Sequence, residues 1–341
     1  MKCKEWLVAS AIVLTAAACE RAGVPTATIE GTDPLFAAGP SGQFRSFRIP
    51  TAASDPRRIA PGSDGAMWFT ESNFDVSQIG RIDAAGDITE FVVPNRFSQP
   101  SDIVAGADGA LWFTQPSGAP AAAIGRVTTA GEFTDFNPPC DPSRGCSTVP
   151  MGIASAPDGS IWFTELSRNA IVKLVPSTGE FTFYSIPTPG ANPSGITLGP
   201  DGALWFAESH ANKIGRIDLA GNITEFAGAT GPDRITSGPD GNLWYTSPFG
   251  NRIGRMTPEG VVTEFALTAP SQPRDIVAGP DGNLWFTEFN AGRLSQITPD
   301  GVVTEVQRVR GGPWGIGRSA DGVIWMTQFD GNRVARFELR Q

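Results

Sequence analysis

Gly199-Pro200-Asp201-Gly202-Ala203-Leu204-Trp205-Phe206-Ala207-Glu208 leads into Lys213-Ile214-Gly215-Arg216-Ile217-Asp218 and then Asn222-Ile223-Thr224-Glu225-Phe226. The stretch is one copy of a unit that the chain writes seven times. Its fixed element, Asp-Gly followed by two residues and Trp, stands at Asp64, Asp108, Asp158, Asp201, Asp240, Asp281 and Asp321, at spacings of 44, 50, 43, 39, 41 and 40. A period near 40 is that of propeller blades. The long interval holds the insertion around Cys140 and Cys146.

Within the unit, Pro193-Ser194-Gly195-Ile196 opens an inner strand and the Asp-Gly pair reads as a type I′ hairpin turn. Leu204-Trp205-Phe206 is apolar without alternation, as in a strand covered on both faces. Lys213–Asp218 and Asn222–Phe226 give the third and fourth strands, the latter mixed with polar residues as suits an outer edge. Three-strand sets number seven, but fourth strands follow only six of them, at 86–92, 131–137, 179–186, 221–227, 260–267 and 301–306. The missing one is Gly42-Gln43-Phe44-Arg45-Ser46-Phe47, at the other end of the repeat region. The expectation is an all-β, seven-bladed β-propeller over 42–341, with four antiparallel strands per blade and the ring closed by the N-terminal strand. Such a closed body is expected to be a monomer. The seven repeat tryptophans read as one packing residue per blade, which leaves Trp314 as the one tryptophan outside both the repeat and the leader.

Composition excludes more than it supports. Gly 40 and Pro 29 in 341 residues fit short strands and tight turns, and 40% apolar content supplies a core. A net charge of −9 without any basic run argues against nucleic acid as a partner. With a single histidine, His210, a His-rich metal site is impossible.

Residues 1–18 read as a signal peptide: Lys2 and Lys4, an apolar stretch from Leu7 to Ala18, too short to span a bilayer, and small residues before Cys19. The placement of Cys19 resembles a bacterial lipobox, so Cys19 is the expected lipidation site; plain cleavage after Ala18 is the alternative. Residues 19–41 would be a flexible tether. The chain is then a membrane-anchored lipoprotein of the cell envelope, facing the periplasm or exterior and touching the membrane through its lipid only. Cys140 and Cys146 flank Asp141-Pro142-Ser143-Arg144-Gly145 and read as a small disulfide loop. A metal pair, the rival reading, finds no nearby ligands to complete it.

Topology locates the functional face. Opposite the Asp-Gly turns lie the inner-strand starts: Arg57-Arg58, Ser101-Asp102, Met151-Gly152, Ser194-Gly195, Asp233-Arg234, Arg274-Asp275 and Trp314-Gly315. The position three after each repeat Trp, held by Glu71, Gln115, Glu165, Glu208, Ser247, Glu288 and Gln328, is expected on the same rim. Both sets vary between blades while the turn and Trp stay fixed, either because they build an asymmetric site at the channel mouth or through loop drift with ion pairing, Arg274 to Glu288 for example. The candidate ligand-binding rim is Arg57, Asp102, Asp233, Arg234, Arg274, Asp275, Glu288, Trp314 and Gln328. Glu71, Glu165, Glu208 and Glu288 could hold a divalent cation, with the rim arginines competing for them. His210 near Glu208 could act as a general base, or be a solvated loop residue.

The repeat Gly-Pro-Asp-Gly-x-Leu-Trp-Phe-Thr-Glu, then Asn-x-Ile-Gly-Arg-Ile and Gly-x-Ile-Thr-Glu-Phe, resembles that of the virginiamycin B lyase (streptogramin B lyase) family across residues 42–337. The resemblance implies a seven-bladed propeller and a Mg²⁺-assisted elimination that opens a cyclic depsipeptide at its ester. It also implies that the catalytic groups sit at the inner-strand start of the last blade, written Glu-Pro-His in the family, with a Glu after that blade's Trp strand and a second His in the blade before. This chain has Gly312-Pro313-Trp314, Gln328 and Arg274 there, although Glu288 remains. The expectation is therefore a lyase-like propeller that binds a small molecule or protein on its channel face, without the lyase chemistry and with no cofactor. The alternatives are a Mg²⁺-dependent C–O lyase with a rearranged site, or a structural envelope scaffold.

Overall fold

The computed structural model describes residues 40–117, 123–140, 148–268 and 270–340. The signal peptide, Cys19, the tether as far as residue 39 and Cys146 lie outside the described residues. The described residues form seven antiparallel sheets of four strands. Blade 1 runs Pro56–Pro61, Met67–Glu71, Gln78–Ile82 and Ile88–Val92; blades 2 to 6 follow in the same order as far as Val303–Arg308. Blade 7 takes Pro313–Arg318, Ile324–Gln328 and Arg333–Leu339 from the end of the chain and Gly42–Arg48 from its beginning. The closing pair runs in register from Gly42↔Leu339 to Arg48↔Arg333. Asn332 secures it: its amide donates to the Thr51 carbonyl at 2.8 Å, and its Oδ1 accepts from the Ser54 backbone N–H at 2.8 Å.

The cores lie between blades rather than within them. Trp205 packs with Ile235, Leu243, Tyr245 and Met256 of the next blade, and Trp68 with Ile103, Leu111 and Phe113. Each second strand is buried along its whole length, as its unbroken apolar run predicts. On the third strand, a Cβ at Gly215 would stand 2.1 Å from the Phe206 ring, so the Lys-Ile-Gly-Arg-Ile motif leaves room for that ring to lie flat.

The Asp-Gly turn differs from the expected type I′ geometry. The Gly65 N–H donates to the Gly62 carbonyl, and the glycine alone adopts positive φ (Gly65 +76°, Gly202 +77°) while Asp64 and Asp201 do not. This is a type I turn followed by a left-handed glycine bulge. The aspartate is therefore not needed for its φ but for its carboxylate. One oxygen accepts the indole N–H of Trp68, Trp112, Trp205, Trp244 or Trp285 at 3.1, 3.1, 2.9, 3.0 and 2.9 Å. In blades 1, 2 and 4 the other oxygen takes Arg81, Arg126 or Arg216 at 2.7, 2.7 and 2.6 Å. The four-residue spacing from Asp to Trp is the span of this latch. Blade 3 interposes Ser160, which accepts from Trp162 at 2.8 Å and donates to Asp158.

Candidate functional site

The inner strands converge through a ring of threonines two residues after the repeat Trp. Thr70, Thr114, Thr164, Thr246, Thr287 and Thr327 each accept, through Oγ1, a backbone N–H at the start of their own inner strand. The same hydroxyls donate to the inner-strand carbonyl of the following blade: Thr114 to Met151 at 2.9 Å, Thr164 to Ser194 at 2.6 Å, Thr287 to Trp314 at 2.6 Å and Thr327 to Arg57 at 2.7 Å. One side chain per blade thus fixes where the next inner strand begins. Blade 4 carries Ala207 at this position, and there Ser194 Oγ and Gly195 N–H both donate to the Asp233 carbonyl, at 2.8 and 2.9 Å.

Residues so positioned meet across the axis. Arg58 of blade 1, 5% exposed, pairs with Asp275 of blade 6 and lies 3.8 Å from Asp102 of blade 2. Arg234 of blade 5 reaches the other oxygen of Asp102 at 3.1 Å. The carboxylates also accept backbone N–H groups of neighbouring inner strands, Asp275 from Ile316 at 2.9 Å and Asp102 from Ile153 at 3.3 Å. Burial, opposed by Arg58 and reinforced by Asp275, pushes the Asp102 carboxyl up to about 6. Asp233 is raised mainly by burial, against the pull of Arg58 and Arg274. Four of the expected rim residues (Asp102, Asp233, Arg234 and Asp275) therefore belong to one charge cluster with Arg58, which closes the channel below its mouth.

Above that plug stands a second cluster. The Arg274 guanidinium lies 4.2 Å from the centroid of the Trp314 ring and 5.3 Å from that of Phe289. Arg57 lies 5.9 Å from Trp314 and 5.9 Å from Phe329. Trp314 itself packs edge-on to Phe289 and tilted over Phe329, with centroids 5.3 and 4.9 Å apart. The two phenylalanines were not among the sequence candidates. Their signal is the position four after the repeat Trp, which reads Ser72, Pro116, Leu166, Ser209, Pro248, Phe289 and Phe329, so that only the last two blades present aromatic rings beside Trp314. Next to Arg274 a cavity of about 280 Å³ opens between Leu166, Asn192, His210, Asp233 and Phe249. Phe249 is 91% exposed at its edge. A larger cavity, about 570 Å³, lies among the Asp281 and Asp321 turns and Glu338 to Arg340, and none of the candidate site residues lines it.

The residues three after the repeat Trp are not on the rim. Glu71, Glu165, Glu208, Glu288 and Gln328 are 0, 0, 0, 1 and 3% exposed, each on the sheet face opposite the threonine that bonds the following blade or, in blade 4, opposite Ala207. Glu71 faces Glu90 and Glu208 faces Glu225. Burial first, then the second carboxylate, pushes Glu71 and Glu208 up to about 8. Glu165 accepts from Ser167 at 2.8 Å. Glu288 pairs with Arg293 at 2.9 Å and accepts from Ser295, not with Arg274 as the spacing suggested. Gln328 accepts from Ser46 and donates to the Arg310 carbonyl, which ties blade 7 together. The four glutamates are thus not brought together, and no group of three or more His, Cys, Asp or Glu suited to a metal exists among the described residues. His210 is exposed at the cavity edge, and no hydrogen bond joins it to Glu208 among the described residues.

This geometry belongs to a scaffold that known proteins share. Three solved structures superpose over 88% of this chain. A streptogramin B lyase does so at 34% identity and a TM-score of 0.78, with 98% of its own chain covered. Virginiamycin B lyase from Staphylococcus aureus matches at 33% and 0.79, with 100% covered. A catalytically inactive histidine variant of the S. aureus enzyme, with quinupristin, matches at 34% and 0.78, also with 100% covered. No curated protein sequence matches the chain. The model of the virginiamycin B lyase family matches residues 35–144, 117–307 and 227–341, which between them take in every blade. The chain belongs to the virginiamycin B lyase family.

Proposed function

We propose that this chain is an exported, lipid-anchored member of the family that binds a small molecule or a protein at its channel mouth and does not carry out the lyase reaction. The observation that carries this reading is the stack of Arg274 on Trp314. These two residues occupy the positions at which the family resemblance places the catalytic histidines. Neither a guanidinium, which stays protonated, nor an indole can accept the proton whose loss drives an elimination. A magnesium ion does not fit here either. Gly312 offers no ligand, and the Gln328 amide is committed to Ser46 and the Arg310 carbonyl, with the Arg333 guanidinium on the same Ser46. What remains is a shaped mouth with aromatic walls, a floor closed by ion pairs and a cavity at its side, which suits recognition. In the same reading Cys19 carries the lipid, and Cys140 pairs with Cys146 in the oxidising envelope.

The test has two arms. The full mature chain is incubated with a streptogramin B antibiotic and Mg²⁺ and the mixture is resolved by liquid chromatography and mass spectrometry. No ring-opened isomer of unchanged mass is expected, and its formation would overturn the reading. In parallel, a thermal-shift screen of small metabolites should yield a ligand that raises the melting temperature of the wild type but not of Trp314→Ala. Ligands that act equally on both proteins would place binding elsewhere and refute the mouth as the site.

A further inference from the structure

The arginines of this face divide into two kinds. Arg58 and Arg234 are neutralised by Asp102 and Asp275 at contact distance. Arg57 and Arg274 are not: among the described residues neither side chain makes an ion pair or a hydrogen bond, and both Nε atoms are buried without an acceptor. Asp55 acts on Arg57 and Asp233 on Arg274 only through space. Burial, then the charge of Arg58, and for Arg274 that of Arg57 as well, disfavours both cations. A protein that only needed to fill this space could do so with apolar side chains at no such cost. Both guanidiniums are held by the same ring, at 5.9 and 4.2 Å from the Trp314 centroid, with Phe329 and Phe289 beyond them. The ring contacts hold the two groups in place while leaving their N–H donors unbonded, which is the preorganisation that recognition of an anion requires.

We propose that the channel mouth is an organic-anion site, in which Arg57 and Arg274 jointly clamp a carboxylate or phosphate whose apolar, preferably aromatic, body rests on Trp314, Phe289 and Phe329. The inference rests on the binding reading above and adds the chemical class of the ligand. It departs from the metal-assisted recognition that the family resemblance implies, because two cations here take the place of an ion and its carboxylates. The cavity beside Arg274, about 280 Å³, gives the ligand body a second place to extend, toward Leu166 and Phe249.

The full mature chain is titrated calorimetrically with 3-phenylpropanoate, phenyl phosphate and the uncharged 3-phenylpropanamide, while Trp314 quenching is followed. At least one anion should bind about 10-fold or more tighter than the amide, and more weakly as ionic strength rises. Carboxylate and phosphate are distinguished by which of the two wins. In Arg274→Gln and in Arg57→Gln the preference over the amide should fall below about 3-fold with amide affinity unchanged, whereas Arg274→Lys should keep part of it. Arg216→Gln, on the opposite face, should behave as wild type. Equal binding of anion and amide, or an anion affinity untouched by both glutamine variants, overturns the proposal. If a neutral or cationic ligand then binds in a Trp314-dependent way, only the anion inference has failed; if no ligand of any charge depends on Trp314, the binding reading falls with it.

Discussion

Replacing Asp201 by alanine removes three partners at once: the Trp205 indole N–H at 2.9 Å, the Arg216 guanidinium at 2.6 Å and the Ala203 backbone N–H at 3.3 Å. The contributions are unequal. Trp205 is 0% exposed, so its N–H is left buried without an acceptor, at a cost of about 1–3 kcal/mol. The Arg216 pair is partly solvated, with side chains 30 and 27% exposed, and adds about 0.2–1 kcal/mol. The expected loss is therefore about 1–4 kcal/mol, or a fall in melting temperature of roughly 2–6 °C for a domain of this size. Asp201→Asn keeps an oxygen for the indole and should cost about 1 kcal/mol or less. Arg216→Gln removes only the ion pair and should lie in the same small range. Urea unfolding followed by tryptophan fluorescence, with thermal melts alongside, separates the three. If Asp201→Asn proves as damaging as Asp201→Ala, or Arg216→Gln as damaging as either, the latch is electrostatic and the assignment of its strength to the indole bond is wrong. The latch also has a pH signature. Burial works against ionisation of Asp201, but the bonds from Trp205 and Arg216 prevail and hold it below the ordinary carboxylate value. Its contribution is complete above the unfolded pKa and is lost as pH falls through the folded one.

Two further outcomes follow from the axis and the blades. Arg58→Gln strands Asp275 without a contacting cation in a buried setting, leaves Asp102 with Arg234 alone, and should destabilise the protein by about 3–5 kcal/mol, measured by the same urea assay; a loss below about 1 kcal/mol would show that water reaches the plug. Glu71 and Glu208, raised to about 8, keep in the folded state a proton that the unfolded chain releases near its ordinary value of 4.5. Stability should therefore decline as pH rises from about 4.5 to about 8, and Glu71→Gln should flatten that slope and exceed wild type at pH 8 by about 2 kcal/mol or more. Parallel wild-type and variant profiles would refute the assignment.

The blade count, the strand order and the closing strand were legible in the sequence because each depends on spacing, and spacing survives in one dimension. The turn type was misread because Asp-Gly is a φ signal in isolated hairpins, whereas here a tertiary bond to the indole governs the aspartate. The buried glutamates were misplaced for a related reason. Counting residues from Trp205 locates Glu208 near the mouth in height, but strand alternation buries it over its own blade, on the face opposite Ala207, which packs against the next blade. The rim arginines and Trp314 could be named from their departures between blades. What they do with one another could not, since Arg57, Arg274 and Trp314 meet only once the ring is closed.

That closure has a consequence for how the polypeptide comes to exist. Gly42 pairs with Leu339, so a growing chain keeps Gly42–Arg48 unpaired until Arg333–Leu339 have been made. Until then neither closing segment has its partner, so the protection of both from proteases reports that the two distant stretches of chain have met.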